Sequence, residues 1–236
     1  MASSFSDVEY NYQKICENIA RAAEAAGKTA EDITFLAATK TVDAPTINHA
    51  ISLGLRYIGE NRVQELLSKY GDYDLDRASL QFIGHLQSNK VRQIVGKVDL
   101  IQSVDSVKLA REIARCSEKL GISTDILIEV NIGREENKSG VMPELLPELL
   151  DEIREIPSIH VRGLMAIPPI CENTQEICKF FDKMRHIFLD IKGKKIDNIS
   201  MDVLSMGMSG DYEEAIKCGA TMVRVGSALF GARNYN

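Results

Sequence analysis

No apolar run in the chain approaches the ~18 residues of a membrane span, so a helical membrane protein is not expected. Residues Met1 to Asp7 have neither a basic stretch nor an apolar core, so no secretory leader is expected and the location reads as cytoplasmic. Cysteine is sparse. The five at 16, 116, 171, 178 and 218 are odd in number, widely spaced and without a CxxC pair, and read as reduced thiols rather than a disulfide framework. Two N-x-S sequons, at Asn137 and Asn198, carry no meaning in that compartment. The four histidines (49, 85, 160, 186) lack HExxH or any other ligand spacing, so a protein-built metal site is not expected. Basic residues are outnumbered, 28 against 34, which argues against a groove for nucleic acid. No GxGxxG turn follows the first strand, which tells against a doubly wound sheet, and no Walker motif occurs, so a nucleoside triphosphate is not implied.

What is present is an ordinary globular balance over 236 residues, 44% hydrophobic and 26% charged, with no linker or low-complexity tract. One domain over 1–236 is expected. Residues 1–28 contain a helix, with a Ser6/Glu9 capping pattern, Val8, Tyr12, Ile15, Ile19, Ala22 and Ala26 at helical spacing, and Gly27 as its stop. Short β-branched runs then alternate with amphipathic ones. Strands are predicted at 33–39, 57–59, 80–83, 99–103, 125–131, 161–167, 202–205 and 222–226. Helices are predicted at 44–53, 63–69, 90–95, 107–120, 144–156, 174–192 and 212–218. In 107–120, Leu109, Ile113, Cys116 and Leu120 share one face, and Gly121 closes the helix. The strands recur about every 27 residues, the length of a strand plus a crossover helix, and eight such units make a (β/α)8 barrel. The fold class is therefore α/β, a TIM barrel with an extra N-terminal helix covering one side. A doubly wound sheet is the alternative.

Barrel chemistry sits at the C-terminal ends of the strands. Lys40 ends the first predicted strand on the same side as Leu36 and Ala38. An amine among apolar neighbours loses solvation as an ammonium, and once neutral it attacks aldehydes to form a Schiff base. A surface lysine at a strand end is the plain alternative. The segments after strands seven and eight, 205–211 and 224–231, are rich in Gly and Ser. Barrels often bind phosphate there: Ser209 and Ser227 offer hydroxyls, and Gly210 and Gly226 let backbone N–H groups come close to an anion. Ordinary turn chemistry would also explain them. Arg224 stands among Met222, Val223 and Val225 and needs a partner, in a structural ion pair, a ligand ring nitrogen or a phosphate. Met201, Met206, Met208 and Met222 read as core packing. His85 reads as a hydrogen-bond donor near the mouth, and Glu60-Asn61-Arg62 either orients a ligand or caps the next helix.

An aldehyde-binding lysine, Ser/Gly phosphate turns and a polar group for a ring nitrogen are what pyridoxal 5'-phosphate (PLP) requires of a barrel. The chain also resembles the pyridoxal phosphate homeostasis proteins (YggS/PROSC type). The stretches that carry the resemblance are LAATKT at 36–41, YIGENRVQ at 57–64, FIGHLQSNK at 82–90, IQSVDS at 101–106, EVNI at 129–132, NKSGV at 137–141, RGLMAIP at 162–168, LSMGMSGD at 204–211 and RVGSALFG at 224–231. The resemblance implies the barrel of the alanine racemase N-terminal domain, with PLP held by Lys40 as an internal aldimine. It implies that Ser209, Gly226 and Ser227 hold the phosphate, that Arg224 faces the pyridine nitrogen, and that Asn61 and Met165 line the pocket. It further implies a single-domain PLP carrier or regulator of the vitamin B6 pool with no established turnover, for which apo-PLP enzymes are the expected recipients. No long exposed apolar helix face calls for an obligate oligomer, so a monomer is expected.

Arginine cannot accept the proton of a pyridinium, and it disfavours a second positive charge beside it. The chain also stops shortly after Gly231, where racemases on this barrel continue into a second domain that carries a base. A carrier is therefore expected over a racemase-like PLP enzyme. A PLP-free Schiff-base aldolase is the third reading.

Overall fold

The computed structural model describes residues 4–231, so both ends of the expected 1–236 domain, residues 1–3 and 232–236, lie outside the described residues. In chain order the elements are α1 (Phe5–Ala25), β1 (Thr34–Ala38), α2 (Ala44–Ser52), β2 (Tyr57–Glu60), α3 (Val63–Lys69), β3 (Ser79–Phe82), α4 (Val91–Ile94), β4 (Leu100–Val104), α5 (Val107–Leu120), β5 (Thr124–Glu129), α6 (Leu146–Ile153), β6 (Ile159–Met165), α7 (Thr174–Lys194), β7 (Ile199–Met208), α8 (Tyr212–Lys217), β8 (Met222–Val225) and α9 (Ser227–Phe230). The eight strands form a closed parallel barrel in sequence order, β8 pairing back to β1.

Strand alternation separates two cores. Inside the barrel lie Leu36, Ile83, Leu100, Leu127, Met165 and Met222, with Ala38, Ile167 and Val203 against them. The opposite faces of the strands pack against the helices; Ala37, Ile58, Phe82, Ile101 and Val223 belong to this outer layer. α5 shows how a helix is seated there. Ser106 caps it, accepting from the Leu109 N–H at 3.4 Å, and Gly121 ends it in the left-handed region at φ 66°. Its buried residues are Leu109, Ala110, Ile113, Ala114, Cys116 and Ser117. Leu120, expected on that face, is 58% exposed, because it is the last helical residue and lies beyond the packed turns.

α1 packs against α8 and α9. Asn18 donates to the Tyr212 hydroxyl at 2.8 Å and Asn11 to the Leu229 carbonyl at 3.1 Å. Its capping box is Ser4/Asp7 rather than Ser6/Glu9. The Ser4 hydroxyl and the Asp7 carboxylate cap each other's backbone N–H groups, and Val8 follows on the buried face with Ile15 and Ile19. No helix among the described residues is long and apolar enough to cross a membrane, and no group of three His, Cys, Asp or Glu among them is placed to hold a metal ion.

Candidate functional site

Residues at the C-terminal rim follow from the strand pairing. β1 lies between β2 and β8, with Ala38 beside Gly59 and Ala37 beside Val225. Lys40 comes two residues after β1, in a turn, with its side chain half-buried. Leu36 and Ala38 do face the barrel interior, but the strand ends at Ala38, so strand alternation no longer determines where Lys40 points. Gly226 approaches the same strand end so closely that an added Cβ would stand 3.1 Å from the Ala38 carbonyl oxygen and 3.3 Å from the Ala38 Cβ. The turn after β1 and the segment after β8 are thus neighbours.

The β7 and β8 ends are joined by Ser209. Its Oγ accepts from the backbone N–H of Gly226 at 3.0 Å and of Ala228 at 3.2 Å. The Gly226 N–H, expected to be directed at an anion, is directed at this hydroxyl in the structure. Two N–H groups converging on one oxygen leave the Ser209 proton available to donate. Ser227, the first residue of α9, is exposed beside them, and Gly210 is exposed in the preceding turn.

Arg224 is 4% exposed, with its side chain on the inward face of β8. It donates to the Ser205 hydroxyl at 2.5 Å and to the Ala166 carbonyl at 2.9 Å. Ser205 donates to Gln102 Oε1 at 2.7 Å, and Gln102 Nε2 donates to Gln81 Oε1 at 2.7 Å. A polar chain therefore crosses the barrel interior from β8 to β3. Burial lowers the Arg224 pKa to about 10, opposed by the charges of Glu129 and Asp211, so the guanidinium stays charged at neutral pH. Glu129, at the end of β5, is raised to about 7. Burial is the main cause and the charge of Asp105 adds to it, against the pull of Arg224.

Met165, fully buried at the end of β6, lies beside Ser205 of β7 and Glu129 of β5. Asn61 follows β2, and its Oδ1 is buried with no hydrogen-bond partner among the described residues. Arg62, not Asn61, takes the N-cap place of α3, without a capping hydrogen bond from its side chain. Glu60 turns away from the mouth. Fully buried, its Oε1 accepts from Thr39 at 2.8 Å, Tyr73 at 2.7 Å and Lys69 at 2.7 Å. His85 is exposed, its Nδ1 3.2 Å from the Ser139 hydroxyl, which links the loops after β3 and β5. Of the four methionines read as core, Met208 is 38% exposed, because it ends β7 at the rim.

The seven expected residues thus lie at or just beyond the C-terminal ends of β1, β2, β6, β7 and β8, at one end of the barrel. The sequence reading did not single out Gln81, Gln102, Ser205 and Glu129, the buried polar groups that stand beside Arg224 and the rim. The signal was present: each is a polar side chain two positions from an interior apolar one, as in Leu100-Ile101-Gln102 and Leu127-Ile128-Glu129.

A family model described as "Alanine racemase, N-terminal domain" matches residues 10–234. The "Pyridoxal phosphate homeostasis protein" of Aquifex aeolicus is 45% identical over 225 residues, which is 94% of this chain and 96% of that protein. A crystal structure of an unknown protein from Bifidobacterium adolescentis superposes with a TM-score of 0.91 at 36% identity, covering 96% of this chain and 95% of that one. PipY of Synechococcus elongatus, in a structure with PLP bound, superposes with a TM-score of 0.79 at 33% identity, covering 90% of this chain and all of that one.

Proposed function

Because this chain belongs to the pyridoxal phosphate homeostasis proteins, on the barrel of the alanine racemase N-terminal domain, we propose that it holds PLP at the C-terminal mouth and serves the vitamin B6 pool as a carrier or regulator. PLP supplies an aldehyde, for which the Lys40 amine is the partner. Ser209, Gly226 and Ser227 grip the phosphate, Arg224 faces the ring nitrogen, and Asn61 and Met165 line the ring. Apo-enzymes that use PLP are the recipients, in the cytoplasm, and the carrier acts as a monomer.

The observation that carries this reading is the setting of Arg224. A buried guanidinium is anchored by neutral oxygens, Ser205 Oγ and the Ala166 carbonyl, rather than by a hydrogen-bonded carboxylate. Its charge repels a proton on a ring nitrogen facing it, so the electron sink of PLP catalysis is weak there. The unpartnered Asn61 Oδ1 and the Ser209 hydroxyl, whose oxygen takes two N–H groups and whose proton is left to donate, also suit a ligand with polar substituents and an anionic end.

Glu129 favours a second reading. A carboxyl group near pKa 7 at the mouth is suited to moving a proton, as a racemase-like PLP enzyme of limited scope requires. One set of measurements separates the two. Borohydride reduction of the PLP-loaded protein followed by peptide mass spectrometry is expected to place a pyridoxyl group on Lys40, and the loaded protein is expected to activate an apo-enzyme. Exchange of amino-acid α-protons in heavy water at enzymatic rates would instead establish the second reading.

A further inference from the structure

The turn that carries Lys40 is held from behind. Thr41 sits at φ 65°, a left-handed conformation that a β-branched residue rarely adopts without external support. Its N–H donates to Glu65 Oε1 on α3. Lys69, one helical turn further along α3, places its ammonium among four oxygens: the Thr39 carbonyl at 3.3 Å, the Val42 carbonyl at 2.9 Å, Glu60 Oε1 at 2.7 Å and Glu65 Oε1 at 2.9 Å. Thr39 is pinned further, its N–H to the Gly59 carbonyl at 2.9 Å and its hydroxyl to Glu60 at 2.8 Å. Both chain neighbours of Lys40 are therefore gripped by groups on β2 and α3. The Lys69 side chain is 12% exposed and that of Glu65 19%, so solvent weakens these bonds little.

We propose that Glu65 and Lys69 are positioning residues for the Lys40 amine, holding the 39–42 turn so that the amine meets an incoming aldehyde in one orientation. The proposal rests on the reading of Lys40 as the aldehyde-binding group. The two carboxylates of Glu60 and Glu65 offset the Lys69 charge, so the clamp fixes the turn without an uncompensated ammonium behind it. A preset amine reacts faster because the orientation is settled before the encounter.

The test uses the full chain and PLP, following the yellow imine absorbance against time and pH. Glu65→Ala removes the acceptor for the Thr41 N–H and leaves the Glu60–Lys69 pair in place. It is expected to slow imine formation by about 10-fold or more and to shift its pH profile. Glu65→Gln keeps an acceptor oxygen and is expected to recover most of the rate. Lys69→Met is expected to act in the same direction, and the thermal midpoint of each apo-protein is read alongside. Wild-type rate and pH profile in Glu65→Ala overturn the proposal, including when its thermal midpoint falls. So does a slowed rate that Glu65→Gln leaves unrecovered. Lys40→Ala tests the underlying reading separately: a trapped pyridoxyl group in that variant refutes the role of Lys40 whatever the clamp variants do.

Discussion

Arg224 and Ser205 share a hydrogen bond of 2.5 Å inside the barrel, with the guanidinium donating and the hydroxyl oxygen accepting. The same hydroxyl donates to Gln102, so Ser205 relays the position of Arg224 across to β4 and β3. Arg224→Met leaves the Ala166 carbonyl and the Ser205 oxygen short of a donor in a buried site. It is expected to lower unfolding stability by about 1–3 kcal/mol, measured by urea denaturation of the apo-protein. Arg224→Lys restores a charge but not the two-pronged geometry and is expected to recover only part of the loss.

Stability should carry the signature of Glu129. Its carboxyl group rises from 4.5 to about 7 in the fold, mainly through burial. Between those values the native state holds more protons than the unfolded chain, so stability falls as pH rises. Below about 4.5 the penalty is absent, and above about 7 it is complete. Its upper bound is on the order of 3 kcal/mol. Glu129→Gln should flatten this part of the pH–stability curve, read from urea midpoints across the window. An unchanged slope would show that Glu129 ionises in the fold as readily as in water.

Lys40→Ala is expected to lose the covalently trapped cofactor and to weaken PLP retention at least tenfold, about 1.4 kcal/mol. Equilibrium dialysis against PLP measures this, with the apo-form melting temperature expected to stay near wild type because the residue is only half-buried in a turn.

Ser209→Ala removes the oxygen that joins the segments after β7 and β8. It should weaken PLP binding and leave binding of pyridoxal, which lacks the phosphate, nearly unchanged. An equal loss for both ligands would place the anionic end elsewhere.

Gly84→Ala tests the rim directly. A Cβ there would stand 2.1 Å from the Asn61 carbonyl oxygen, a backbone atom that cannot swing aside. The variant should cost about 1–3 kcal/mol of stability and displace Asn61, seen as weaker PLP binding in the fraction that folds.

Much of the barrel was legible because its signals are local. Strand and helix limits predicted from periodicity differ from the observed ones by a few residues at most, as with 63–69 and 107–120, where they coincide. The inward parity of Leu36 and Ala38 followed from alternation alone. Errors arose where local signals were degenerate. Two Ser-x-x-acid patterns overlap at the start of α1, and the pattern alone does not distinguish them; the reciprocal hydrogen bonds form at Ser4 and Asp7. The sequence likewise does not distinguish an ion pair, a ring nitrogen and a phosphate as the partner of Arg224. Its hydrogen-bond acceptors lie 19 and 58 residues away in the chain.

The eight strands and their alternation with helices, the shared side of Leu36 and Ala38 and the resemblance to a PLP-handling family were determined by the sequence itself, since propensity, period and motif act over a few residues; the short α9 at Ser227–Phe230 was not. Which polar groups meet was decided only by closure of the barrel. Pairing β8 with β1 brings Gly226 against Ala38, and the barrel interior joins Arg224 to Ser205, Gln102 and Gln81. Lys69 reaches the turn after β1 only once α3 packs beside it. Such contacts depend on distances between atoms far apart in the chain, which compaction sets and no local pattern encodes.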